Sequence, residues 1–229
     1  MAFDIKTSKM LNDSRTGNFV FTPTKNICNV QIFDEITMKT CGELIGNMAQ
    51  IIGQLPVQQP IINASDRIVS PYDISPDKFV FDVIINSPGG EFGAYKSIAA
   101  MFSLAKAKGA IIRTNNIAMA CSAASLLAVQ GTIGYRIMSE SAYNLVHYGR
   151  SHISGSRENE LEIATKNSTK DRKQVFHIYE KYTKLSATEL EKYKSIELSG
   201  QLFAHRCLTK HLCDWILTSD GVLIGRKQR

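Results

Sequence analysis

The run Phe79-Val80-Phe81-Asp82-Val83-Ile84-Ile85 passes directly into Asn86-Ser87-Pro88-Gly89-Gly90. One charge interrupts seven otherwise apolar residues, the composition of a strand covered on both faces. The Pro-Gly-Gly turn ends that strand, and Phe92, Tyr95, Ile98, Ala99 and Phe102 then recur at helical spacing. Downstream, Ala110 to Ile112 reads as the next strand and Ser122 to Val129 as a helix of small residues, with further strands at Gly134 to Met138 and Ala142 to Val146. Upstream, a short strand spans Ile27 to Phe33. An amphipathic helix then carries Met38, Cys41, Leu44, Ile45, Met48, Ile51 and Ile52. Strand and helix alternating over short connections predict an α/β fold.

Residues 54–78 hold Pro56, Pro60, Pro71 and Pro76, four of the six prolines, and read as a long irregular loop. From Arg157 to about Lys184 a long charged helix has few apolar positions for its length, as a helix leaving the core to meet a partner subunit would. Two shorter helical stretches end the chain. Residues 1–25 are polar and turn-rich, a flexible arm before a single domain at 26–229.

The 229 residues are 44% hydrophobic and 21% charged, which excludes disordered and low-complexity classes and suffices for a core without disulfides or metal. The N-terminus is too polar for a signal peptide, and the uncharged stretch between Arg113 and Arg136 contains too many polar residues to span a membrane, so it reads as buried core. Five irregularly spaced cysteines suit a reducing compartment, the cytoplasm. The net charge of +6 says little about partners: ten basic and seven acidic residues mix between Arg150 and Lys194, and no aromatic-basic cluster offers a nucleic-acid surface.

Three short features carry chemistry. Free N–H groups in the Ser87-Pro88-Gly89-Gly90 turn suit a developing oxyanion, or the turn is simply tight. The small residues Ala118 to Ser125, between strand and helix, would let a substrate approach a serine such as Ser122, or they only cap and pack. His147, at a strand end, suits a rigidly held general base, or is an ordinary hydrogen-bonded histidine. Taken together, their order resembles the Clp-type serine peptidases. The carriers of the resemblance are Asn86-Ser87-Pro88-Gly89-Gly90, the twenty-five residues separating Ser122 from His147, and Gly131 nine residues after Ser122. Ser-Ala-Ala-Ser at 122–125 is similar to phage-encoded members. The similarity runs from about Ile27 to Asp214.

The resemblance implies a crotonase-like core of repeated strand–helix units, a projecting handle at about 148–186, and a homo-oligomeric double ring enclosing its active sites. It implies hydrolysis of unfolded polypeptides, an ATP-driven unfoldase as partner, and no cofactor or metal. Ser122 would be the nucleophile and His147 its base, with the Gly89 and Ala123 amides as the oxyanion hole and Ser125 a spare small residue. The family's aspartate position falls on Ser199, which offers a hydroxyl and no charge; Glu197 is the nearby carboxylate. The family's glycine before the last leucine is His211 here. A catalytically weak or inactive ring subunit, and a phage capsid-maturation peptidase, are the alternative readings; a Ser–Lys dyad on the same fold would not need His147. Cys121 adjoins Ser122 and is a competing nucleophile, read as core. His205, Cys207, His211 and Cys213 are four soft ligands, but one helix aligns only Cys207 with His211.

Overall fold

The computed structural model describes residues 19–22, 26–56, 70–148, 158–193 and 200–226. Its elements run in the order β1 (Phe19–Thr22), β2 (Ile27–Ile32), α1 (Met38–Gln54), β3 (Val80–Ser87), α2 (Phe92–Ala107), β4 (Ile111–Cys121), α3 (Ala123–Val129), β5 (Arg136–Ser139) and β6 (Tyr143–Val146). Then follow α4 (Glu158–Tyr182), α5 (Ala187–Lys192), β7 (Gly200–Phe203), α6 (Ala204–Thr209), β8 (Trp215–Leu217) and β9 (Leu223–Gly225). Among the described residues the strands make one nine-stranded mixed sheet, ordered β1-β2-β3-β4-β5-β8-β9, with β6 and β7 branching from β4. The central pairs from β2 to β8 are parallel, and the edge pairs β1–β2 and β8–β9 are antiparallel. The α/β class read from the alternation is the class observed.

The core face of the sheet holds Phe81, Val83 and Ile85 of β3 against the buried side of α1 (Cys41, Leu44, Met48, Ile51, Ile52) and of α2 (Tyr95, Ile98, Phe102). Helix α1 starts where Thr37 and Thr40 form a reciprocal capping box. On the opposite face, Val80, Ile111 and Tyr135 form a smaller cluster with Ile27 and Ile74. There Asp82 and Arg113, cross-strand partners in register, make a buried bidentate ion pair at 2.6 and 3.0 Å. Arg113 also donates to the Pro71 carbonyl at 3.3 Å and lies over the Tyr72 ring. The described part of the proline-rich segment, 70–78, is therefore held beside the beginnings of β3 and β4, at the far end of these strands from Ser122.

Three expectations change. The strand read as Ala110 to Ile112 continues to Cys121. The stretch after Arg113, read as buried core without an assigned strand, is that strand's continuation, where Thr114 Oγ1 donates to the Ala128 carbonyl and Asn116 Nδ2 to the Tyr143 carbonyl. The chain does not end on helices: after α5 and α6 come β8 and β9, too short for periodicity to announce. The 1–25 arm contains β1, paired with β2; its residues 1–18 and 23–25 lie outside the described ones.

Strand β4 is where the sheet forks. Ile85 faces Asn116, yet Ser87 faces Ala120, so β4 carries a bulge within Ile117–Met119. Before the bulge β4 pairs with β5; after it, Met119–Cys121 pair with Tyr143–Leu145 of β6. Behind the fork lies a second buried ion pair. Arg136 grips Asp214 with two bonds of 2.7 and 2.8 Å and donates to the Tyr182 carbonyl, and Asp214 also accepts from the Gly134 amide.

Candidate active site

Ser122 is the single residue between the end of β4 and the start of α3. Turning a strand into a helix within one residue forces it to φ 53°, ψ −120°, a region costly for any residue with a Cβ. The same turn fixes it firmly: its N–H donates to the Leu145 carbonyl at 3.0 Å and its carbonyl accepts from the Leu126 amide at 3.2 Å. His147 lies two residues beyond Leu145, past the end of β6. Parallel pairing of β4 with β6, Cys121 opposite Leu145, thus brings Ser122 and His147 to the same end of neighbouring strands, and both side chains are half-buried.

The Gly-Gly turn meets them there. Gly89 stands at φ +93°, and a Cβ on it would strike the Cys121 carbonyl oxygen and lie 2.7 Å from Ser122 Cβ. Only glycine lets the turn come this close. The Gly89 N–H donates to Ser87 Oγ at 3.1 Å, and Ser87 Oγ donates to the Asp34 carbonyl at 2.6 Å. The Gly89 carbonyl and the Glu91 amide both bond Ile36, so the Gly90 amide between them is directed to the opposite edge, the β4 side where Ser122 sits. Ala123, the first residue of α3, has an N–H outside the helical ladder, and it lies 3.1 Å from where a Gly89 Cβ would be. The sequence pointed to the whole Ser87-Pro88-Gly89-Gly90 turn but named only the Gly89 amide; the separate parts of Ser87 and Gly90 appear only in the folded turn.

Cys121 and Ser122 differ sharply in setting. Burial pushes the Cys121 thiol above its ordinary range, against a weaker pull from the Tyr143 hydroxyl, which favours the protonated thiol over the nucleophilic thiolate. Ser125 is fully buried and accepts a 3.0 Å bond from the Tyr179 hydroxyl, tying α3 to α4. Ser199 and Glu197 lie outside the described residues. Among the described residues no three His, Cys, Asp or Glu side chains cluster as metal ligands. Cys207 donates to the Leu202 carbonyl, and His211, at φ 60° in the left-handed region, pairs with Arg226. All five cysteines are free, and among the described residues no helix is long and apolar enough to cross a membrane.

A sequence model for a family described as Clp protease matches residues 73–219, a span holding β3, the Gly-Gly turn, Ser122 and His147. Among known proteins, the chain is 33% identical over 147 residues to the ATP-dependent Clp protease proteolytic subunit 2 of Streptomyces coelicolor, covering 64% of each chain. It is 32% identical over 147 residues to the ATP-dependent Clp protease proteolytic subunit 4 of Streptomyces avermitilis, covering 64% of this chain and 62% of that one. The likeness thus spans less than two thirds of either relative's length. With the family match extending over more than half of the residues, this chain belongs to the Clp protease family.

Proposed function

We propose that this chain is a self-compartmentalising serine endopeptidase acting on unfolded polypeptides, with Ser122 as nucleophile and His147 as general base. The carrying observation is the strained turn that presents Ser122 against Gly89 while the β4–β6 pairing delivers His147 to the same sheet end. Ser122 Oγ attacks the scissile carbonyl as its proton passes to the His147 imidazole. The tetrahedral oxyanion collapses, the peptide C–N bond breaks, and the amine leaves with that proton. Water then repeats the sequence on the acyl-enzyme.

The oxyanion is received by backbone amides, those of Ala123 and of the Gly-Gly turn. Gly89 can serve only by sharing the proton it gives to Ser87, whereas Gly90 faces the β4 side without that engagement in the turn. We assign the turn's contribution to the Gly89–Gly90 pair, with Gly90 the better directed donor. Ser199, at the family's aspartate position, can orient the imidazole but supplies no charge to stabilise its protonated form, so turnover is expected to be low.

The surroundings fit a family assembly. Relatives named as proteolytic subunits of an ATP-dependent protease support an assembly that works with an ATP-driven partner. From Glu160 to Asn167, α4 is exposed apart from half-buried Ala164, with Leu161 at 42% and Ile163 at 58%, which supports its reading as a handle joining two rings on a crotonase-like core. The neutral Ser199 favours one further reading, a weak or inactive ring subunit that modulates an active peptidase. A fluorophosphonate probe separates the two. Stoichiometric labelling at Ser122, absent in Ser122→Ala and His147→Ala, is the expected result; no labelling of an assembled protein would leave only the modulator.

A further inference from the structure

Helix α3 begins directly after Ser122, all seven of its residues are buried, and its two ends are fixed by different means. The carbonyls that close it each receive a side-chain donor from another element. Thr114 Oγ1 reaches Ala128 at 2.9 Å, Arg136 Nη1 reaches Val129 at 3.2 Å, and Lys106 Nζ reaches the capping Gln130 at 3.0 Å. Gln130 Nε2 also donates to the Tyr95 hydroxyl. These bonds come from β4, β5 and α2, so the far end of α3 is held several times over.

The first turn, which carries Ser122 and the Ala123 amide, has one side-chain hydrogen bond among the described residues: Tyr179 of α4 donates to Ser125 Oγ at 3.0 Å. Ser125 is 0% and Tyr179 1% exposed, so neither hydroxyl can exchange this bond for one to water. Burial pushes the Tyr179 phenol up, against a smaller pull from Ser125, and keeps it a protonated donor. Ser125 stands one helical turn beyond Ser122, and the next amide, that of Leu126, donates to the Ser122 carbonyl at 3.2 Å. The Tyr179 bond therefore acts on the turn that sets the Ser122 backbone. That backbone is strained, at φ 53°, ψ −120°, and such a conformation persists only where its surroundings impose it. Clearance is small as well: a Cβ on Gly89 would stand 2.7 Å from Ser122 Cβ and 3.1 Å from the Ala123 nitrogen.

We propose that Tyr179 and Ser125 are a positioning pair for the nucleophile: their bond fixes the first turn of α3, and with it the direction of Ser122 Oγ and of the Ala123 N–H that receives the oxyanion. The inference rests on the peptidase reading of Ser122 and deepens it. Neither residue touches the reacting atoms. Loss of the bond leaves substrate binding in place and puts the attacking oxygen and the receiving amide out of line, so it lowers kcat rather than raising KM.

The test measures kcat and KM for a peptide substrate, the rate of fluorophosphonate labelling at Ser122, and the melting temperature. Tyr179→Phe and Ser125→Ala should each lower kcat and the labelling rate about tenfold, with KM within about twofold of wild type. Each single change strands one buried hydroxyl, whereas both together strand none. The double variant Tyr179→Phe/Ser125→Ala should therefore regain the wild-type melting temperature yet stay as slow as either single variant. Recovery of activity together with stability in the double variant overturns the proposal, since the pair would then serve the fold alone. Tyr95→Phe loosens only the end that is held several times over, and should keep kcat within about twofold. A loss there equal to that of Tyr179→Phe overturns the proposal as well. Unchanged kcat and labelling in Tyr179→Phe refutes the positioning pair and leaves the peptidase reading standing, whereas a wild-type protein that neither cleaves nor labels removes both.

Discussion

At Ser199 a hydroxyl stands where the family resemblance calls for a carboxylate, and the consequence is electrostatic. An imidazole that takes the Ser122 proton becomes a cation, and a neutral partner orients it without offsetting that charge; in a Ser-His-Asp site, exchanging the acid for its amide lowers turnover by about 10⁴. Ser199→Asp should therefore raise kcat for peptide hydrolysis by at least tenfold, read in single-turnover assays, with little change in KM. A variant no faster than wild type would show that another group already performs this task. The proposed nucleophile and base can be named from the sequence because their spacing and small neighbours are linear features. The Tyr179–Ser125 bond and the engagement of Gly89 with Ser87 cannot, since both depend on which groups converge after folding.

At the scale of elements, the ends of β5, α4 and β8 are held by a buried ion network rather than by apolar contact. Burial alone would raise the Asp214 carboxyl, but the Arg136 charge and its hydrogen bonds, with Arg226 beside them, outweigh it and hold the group below the ordinary carboxylate range. A carboxylate depressed in the folded state contributes stability above its unfolded value of about 3.9 and loses it as pH falls through the folded one. Acid unfolding should steepen below about pH 4, whereas Asp214→Asn should flatten that dependence and cost about 3–5 kcal/mol at neutral pH by stranding Arg136. Urea midpoints from pH 7 to pH 3 measure both. Periodicity found the long elements α1, α2 and α4 and the apolar β3. It missed most of β4, where buried polar Thr114 and Asn116 break any strand alternation in a stretch read only as core, and it missed β7, β8 and β9, which are too short to carry a pattern.

For the molecule as a whole, the exposed first half of α4 is where the proposed assembly contact can be tested. Leu161 and Ile163 stand in water there, while Val175 and Tyr179 in the second half are buried against the domain. Replacing both exposed residues by serine should leave the melting temperature within a degree or two, because neither contributes to the fold's own core, yet lower the assembly mass in sedimentation velocity. An unchanged mass would remove α4 from the assembly contact.

The forked strand has a further consequence. Side chains alternate along a strand, so each residue added or lost reverses every side chain beyond it. Between the Ile85–Asn116 and Ser87–Ala120 pairs β4 advances four residues to β3's two, so the bulge keeps that alternation and sets instead which residue reaches the turn. The place of Ser122 at the turn is thus written twice: once as the residue at 122, and once as a residue count several positions upstream. Deleting one residue there, with the β3 register held, would carry Ala123 into the place of Ser122 and Ser122 into the place of Cys121, without altering either residue.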